Sequence, residues 1–172
     1  MEARLRRFEL VLWSPLPTGE AWSRVLDLRA HDRLVPFTRI TRGMVAASEL
    51  RPGHEFVACT MLGRLGFRGR RLGFDDVMTV EDIEPPDGGR AGRARIVKSG
   101  KLVRGSIDVT VSPGRASGGR GVSRLGKRTT TGSTIRWRQD FGLARFPAVV
   151  GLAAFAVARL GYPATIRRLL RG

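Results

Sequence analysis

The sequence contains one cysteine, Cys59, and two histidines in 172 residues. A lone cysteine forms no intramolecular disulfide and cannot supply the several thiolates of a cysteine-based zinc site. This usage suits a reducing compartment. The chain also begins with a charged segment, residues 1–8, where a signal peptide has an apolar core of about 7–15 residues. We therefore expect a cytoplasmic protein with no bound metal and no cofactor.

A hydrophobic run long enough to span a membrane is also missing. The longest apolar stretch covers residues 146–158 and ends at Arg159. A spanning helix needs about 20 predominantly apolar residues, so this stretch is too short. It favours a helix that is buried in the protein or lies at an interface.

Negative charge is scarce: 15 acidic residues face 31 lysines and arginines, for a net charge of +16. Such an excess attracts polyanions and anionic membrane surfaces. The arginines are scattered, so solvated surface charge explains them equally well. Nucleic acid is less favoured, because residues 113–132 carry no aromatic side chain that could stack on a base. A transient contact with an anionic membrane stays open, with these basic candidates: Arg115, Arg120, Arg124, Lys127 and Arg128.

The order of elements predicts an α+β domain. Residues 8–13 favour a strand, and Thr18 is placed as the N-cap of an amphipathic helix that runs to about Leu28. A polar turn follows around His31. Six further strand-like segments are joined by short or turn-rich connections, which favour antiparallel neighbours. They cover residues 37–45, 55–62, 75–83, 93–97, 102–111 and 134–141.

Alternating side chains give these strands one apolar face that needs a cover. The first helix is too short for so wide a sheet, and residues 147–160 form the other apolar segment of sufficient length. Gly161 and Pro163 are expected to stop this helix before a short basic one. The whole segment, 146–171, is predicted to be helical and to pack on the sheet. Residues 113–132, rich in Gly, Ser, Thr and Arg, are predicted to form a flexible loop.

This order resembles the SRPBCC superfamily, which includes the START domains, the birch-pollen-allergen-like proteins and the polyketide cyclases. Three segments carry the resemblance: the first strand and the helix around Trp22, the strand at residues 74–78 that runs into Pro85 and Pro86, and residues 133–137 before the final helix. The resemblance covers nearly the whole chain, residues 1–172, as a single domain. It implies a helix-grip fold, in which about seven curved antiparallel strands wrap around a long C-terminal helix, with a hydrophobic cavity between them.

A hydrophobic small molecule is accordingly the expected partner. The leading hypothesis is that the cavity binds, and in some members transfers, a lipid, polyketide-like or isoprenoid molecule. Gln139 shares the inward face of the last strand with Trp137 and is the preferred polar contact. The candidate cavity residues are Phe56, Met78, Ile135, Trp137, Gln139, Phe141, Leu152 and Phe155.

Two alternatives stay open, a cyclase or dehydratase using the same cavity and an anionic-surface binder. No catalytic residue is assigned, because no nucleophile motif accompanies His31 or His54, which are interpreted as surface histidines. The acids at Asp75 and Asp76 are interpreted as solvated strand positions. Residues 121–127 have phosphate-loop spacing, but Arg128 replaces the magnesium-binding hydroxyl, so no nucleotide is expected.

Overall fold

The computed structural model describes residues 5–35, 38–61, 73–115, 131–146 and 148–171. These contain seven strands and three α-helices, with a short 3₁₀ helix (Ala47–Glu49) before the third strand. The elements are β1 (Arg6–Ser14), α1 (Thr18–Leu26), α2 (Leu28–Leu34), β2 (Thr38–Arg42), β3 (Glu55–Met61), β4 (Gly73–Glu84), β5 (Gly92–Lys98), β6 (Val103–Arg115), β7 (Thr131–Leu143) and α3 (Ala148–Arg171).

All seven strands form one antiparallel sheet in the order β1-β7-β6-β5-β4-β3-β2. Strands β4 to β7 follow one another as a meander, and β1 closes against β7. The register shifts on β4 between Val80 and Asp82, which is the irregularity that bends a strand. Gly105 lets β6 approach β7, because a Cβ there would lie 1.9 Å from the Asp140 carbonyl oxygen. The predicted α+β helix-grip architecture, a curved sheet with a long C-terminal helix, is confirmed.

Two helices lie between β1 and β2 in the chain. Helix α1 buries Ala21, Trp22, Val25 and Leu26, one stripe at helical spacing. Its N-cap is Pro17, so the prediction of Thr18 as the cap is wrong by one residue. The region around His31 is helix α2 and not a turn.

Helix α2 begins where it does because Asp27 caps it. The Asp27 carboxylate accepts a hydrogen bond from the Arg29 amide at 2.9 Å, which satisfies one of the free N–H groups of the first turn. Only one residue separates α2 from α1. For this reason the spacing of apolar residues does not predict α2 as a separate helix.

Helix α3 is continuous through Pro163, so the expected stop at Gly161 and Pro163 is wrong. A proline inside a helix removes one hydrogen bond at a cost of about 3 kcal/mol. The turns after it offset this loss, since Ile166 and Leu169 are buried in the core. The Arg24 guanidinium also donates to the Leu170 carbonyl oxygen at 3.0 Å, which ties the end of α3 to α1.

The apolar half of α3 covers the sheet less completely than its composition predicts. The buried residues of the helix all lie in its last turns, from Thr165 to Leu170. The first half contacts the core through one side, which includes Ala154, Phe155 and Ala158. Its other side is exposed, and Val157 is 73% and Leu160 79% accessible to solvent. By length and composition alone α3 could also cross a membrane, but its last turns are part of the protein core.

Both ends of the segment 113–132, predicted to be a loop, belong to strands. Residues 113–115 continue β6, residues 131–132 begin β7, and Gly114 pairs with Gly132. Backbone pairing with a long neighbouring strand outweighs the weak strand preference of glycine and proline here. Residues 116–130, including the phosphate-loop-like segment, lie outside the described residues.

Candidate ligand cavity

A cavity of about 100 Å³ lies between the sheet and the helices. Strands β2 to β7 contribute one wall, α1 and α2 another, and Tyr162 of α3 also lines it. Most of the lining is apolar. The apolar lining residues include Val25, Leu28, Ile40, Leu50, Phe56, Ala58, Met78, Ile96, Ile107 and Trp137.

A buried ion pair sits in this apolar lining. The Lys98 ammonium donates to Asp76 Oδ2, and the two side chains are 4% and 11% exposed. The sulfur of the neighbouring Met78 lies 3.4 Å from Lys98 Nζ. Asp76 Oδ1 is also buried, and it has no hydrogen-bond partner among the described residues.

The strand register brings the pair together. Met78 on β4 lies directly opposite Lys98 on β5. Asp76 is two residues from Met78 and therefore on the same face of the sheet, next to Lys98 on the diagonal. This register places an inward lysine beside an inward aspartate, and burial then requires the two charges to pair.

The charges of the cavity follow from this arrangement. Burial alone lowers the pKa of Lys98, but Asp76 and the neighbouring Tyr162 outweigh it and the pKa is raised, so the amine stays protonated. Burial raises the pKa of the Tyr162 hydroxyl more than Lys98 lowers it. The phenol is therefore neutral at physiological pH, and the Gln139 side chain is near enough to interact with it.

His31 and Trp137 form another part of the lining. The His31 ring stacks on Trp137 with centroids 6.3 Å apart, and its Nε2–H donates to the Val25 carbonyl oxygen at 2.7 Å. Burial lowers the pKa of His31, while that hydrogen bond and Asp27 oppose the change. A neutral imidazole thus faces the cavity, so the interpretation of His31 as a surface histidine is wrong.

Solved structures with the same architecture cover nearly the whole chain. They include Ara h 8.0201 (TM-score 0.52, 14% identity, 98% of this chain and 100% of the other). They also include the Zhui aromatase/cyclase from Streptomyces sp. R1128 (0.53, 13%, 97% and 92%). A third is SA2116, a protein of unknown function from Staphylococcus aureus (0.58, 8%, 99% and 96%). The chain has the helix-grip fold. No family model and no curated protein sequence matches it.

These structures confirm the fold that the resemblance to the SRPBCC superfamily implies. At sequence identities of 8–14% these structures share the fold with this chain, but the roles of their individual residues cannot be transferred to it. The chemistry of this helix-grip cavity has to be argued from its own side chains.

Three of the residues that the sequence suggests for the cavity line it: Phe56, Met78 and Trp137. The other candidates lie elsewhere in the fold. Ile135 is fully buried, and Gln139 is buried and accepts a hydrogen bond from the Trp137 indole at 3.2 Å. Phe141 stacks on Phe155 at the α3 side of the core, with ring centroids 6.0 Å apart.

Leu152 lies on α3 with 50% of its surface exposed and is not among the cavity-lining residues. Its position follows from the incomplete cover that the first half of α3 provides. The basic candidates cannot be placed in the same way. The backbone of Arg115 ends β6, and Arg120, Arg124, Lys127 and Arg128 lie outside the described residues.

Sequence reasoning missed the polar end of the helix-grip cavity. Asp76 is buried, so its interpretation as a solvated strand position is wrong. A signal was present: Ala94, Ile96 and Lys98 alternate with Arg93, Arg95 and Val97, which puts a lysine on the inward face of β5. No group of three or more potential metal ligands occurs in the part of the chain that the structure describes.

Proposed function

We propose that this protein binds a hydrophobic small molecule in the helix-grip cavity, and that it can release the molecule again for transfer. The observation that carries the proposal is the cavity itself, which combines an apolar lining with a buried polar end. Ligand sites are typically concave and mostly apolar, with a few polar groups that fix orientation. The shared fold of an aromatase/cyclase supports a cavity of this kind.

The size of the cavity limits what enters without movement. About 100 Å³ is less than the roughly 300–1,000 Å³ of drug-sized ligand sites. An apolar cavity of about 150 Å³ holds benzene, so a one-ring molecule is near the limit here. Larger ligands need a neighbouring element to move. The first half of α3 is the candidate, because it buries little surface and Pro163 weakens the helix just beyond it.

Filling the cavity is expected to abolish binding. Ala58 lines the cavity, and Ala58→Leu places three more carbon atoms in it. The affinity for an apolar fluorescent probe should fall at least about tenfold, while the thermal midpoint changes little because the side chain occupies existing space. Probe titration and thermal denaturation measure the two effects.

Cys59→Leu is the matched control, since Cys59 lies on the same strand and its side chain points to the opposite face. The control variant should bind the probe like the wild type. Equal binding by Ala58→Leu and the wild type would exclude the cavity as the binding site.

Mass spectrometry of molecules extracted from the purified protein, before and after incubation, would show whether a ligand is held unchanged or converted. This result separates binding from the cyclase or dehydratase alternative.

A second proposed function is a transient contact with an anionic membrane, where ligand would be exchanged. The exposed side of α3 favours it: Val149, Val157 and Leu160 are 69–79% exposed. Val157 and Leu160 are three residues apart and are therefore neighbours on the helix surface. Exposed Arg167 and Arg168 continue along the helix. Apolar side chains that enter the interface and basic residues that attract anionic lipid, each at about 1 kcal/mol, act together in such contacts.

Vesicle binding tests this contact. The wild type should bind phosphatidylserine-containing vesicles more strongly than neutral ones, and the double variant Val157→Ser/Leu160→Ser should bind at least about tenfold more weakly. The matched control is Leu5→Ser/Val11→Ser, which removes one leucine and one valine that are each 54% exposed near or on β1. Equal losses in both double variants, or no preference for anionic lipid at low salt, would contradict the proposal.

A further inference from the structure

One acceptor in the cavity remains unsatisfied. Asp76 is 8% exposed, and its Oδ1 is buried without a hydrogen-bond partner among the described residues. Buried carboxylate oxygens are almost always hydrogen-bonded, because an unpaired one loses its hydration and gains nothing in return. Oδ2 is occupied by Lys98. Since Asp76 lines the cavity, a molecule bound there can reach Oδ1.

The charges around Oδ1 restrict what that molecule can be. Asp76 and Lys98 already neutralise each other, and the other polar groups of this end, Tyr162 and Gln139, are uncharged. A ligand carboxylate would place a second negative charge beside Asp76, and a ligand ammonium would place a second positive charge beside Lys98. Either charge would have to leave water for an apolar cavity without a partner of its own. A neutral donor pairs with Oδ1 and leaves the ion pair intact.

We propose that the Asp76–Lys98 pair is a recognition site for a neutral hydroxyl group, and that the ligand of this cavity is an alcohol or phenol whose O–H donates to Asp76 Oδ1. Lys98 acts as a positioning residue, because its ammonium holds Oδ2 and leaves Oδ1 toward the ligand. This inference rests on the proposed binding function and names the chemical class of its ligand.

Phenol, anisole and benzoate test the inference as one-ring probes suited to the small cavity. Phenol donates a hydrogen bond, anisole only accepts one, and benzoate adds a charge. A hydrogen bond to a charged acceptor corresponds to roughly 10- to 100-fold in affinity. We expect the wild type to bind phenol at least about tenfold more tightly than anisole and to bind benzoate least. Ligand-observed NMR measures the three dissociation constants.

The variant that isolates the pair is Asp76→Leu/Lys98→Met. A single substitution would leave one charge buried and unpaired and would endanger folding, whereas replacing both with apolar residues of similar size keeps a packed core. The double variant should bind anisole at least as well as the wild type and should lose the preference for phenol. Exposed Arg42→Met, which breaks the surface pair with Glu55, is the control and should retain that preference.

The outcomes distinguish the hydroxyl site from the binding function on which it rests. Equal affinity for phenol and anisole in the wild type, with both lost in Ala58→Leu, would leave the binding function in place and overturn the hydroxyl site. Water would then be the partner of Oδ1. A phenol preference that persists in the double variant would also overturn the site. If no probe binds the wild type, the binding function and the inference fail together.

Discussion

Lys98→Met is expected to lower the free energy of unfolding by about 3–5 kcal/mol, because it leaves the Asp76 carboxylate buried without its cation. The double variant Asp76→Leu/Lys98→Met should recover most of this loss and match the wild type within about 1 kcal/mol or exceed it. Isosteric apolar residues avoid the desolvation that the ion pair has to overcome. Urea denaturation of the wild type, both single variants and the double variant gives the coupling energy.

A surface pair provides the comparison. Arg42 and Glu55 are 67% and 50% exposed, so Arg42→Met should cost less than about 1 kcal/mol. If Lys98→Met costs no more than Arg42→Met, Lys98 is not buried against Asp76 as described.

The pH dependence of the stability that this ion pair contributes has a definite sign. Because the folded pKa of Lys98 is raised above its ordinary 10.5, the stability from the pair is complete below that pH and is lost as the pH rises through the folded value.

The desolvation cost of the Asp76–Lys98 pair indicates that the pair has a role other than stabilising the fold. A buried ion pair rarely stabilises a fold more than apolar residues would, so its presence in an apolar cavity needs another reason. Recognition of a polar ligand group supplies one. Stability and ligand selectivity are therefore expected to respond oppositely to the double variant: the fold keeps or gains stability while the preference for phenol over anisole disappears.

The strands could be predicted from the sequence because their signals are local. All seven predicted segments overlap strands, since alternation and turn residues repeat within a few positions. The errors at the end of α3 and in α2 have different causes, one tertiary and one local. Proline at 163 locally signals an end to α3, but the burial of Ile166 and Leu169 against the core carries the helix on. Helix α2 depends on one capping residue, Asp27, which apolar spacing does not reveal.

The cavity could be predicted only in part, because its polar end depends on register between distant strands. Phe56, Met78 and Trp137 follow from inward alternation. Asp76 and Lys98 are 22 residues apart in sequence, and neither strand alone shows that they meet. The apolar composition of residues 147–160 overestimates how much of the sheet they cover. An apolar composition predicts that a helix contacts another apolar surface, but it does not identify that surface. The exposed side of this helix is the feature on which the membrane proposal depends.

Trp137→Ala is expected to destabilise the protein by about 3–5 kcal/mol, the range for truncating a buried tryptophan. The indole is 3% exposed, packs against Tyr162 with ring centroids 5.5 Å apart and donates to Gln139 Oε1. Truncation removes these contacts and leaves Gln139 without a donor. Trp13→Ala is the matched control, because Trp13 is 40% exposed on β1, and it should cost about 1 kcal/mol. Urea denaturation monitored by circular dichroism measures both.

The same variant distinguishes a cavity wall from a filled core. Because Trp137 lines the existing cavity, its truncation joins the vacated space to that cavity and makes room for a larger apolar molecule. Adding indole, which has the shape of the ring that Trp137→Ala removes, should then raise the thermal midpoint of this variant by binding the folded state, and should leave Trp13→Ala unchanged. Equal destabilisation of the two variants would contradict the inward register of β7. A large loss without recovery by indole would mean that the surrounding side chains collapse into the space, and that Trp137 serves packing rather than a ligand site.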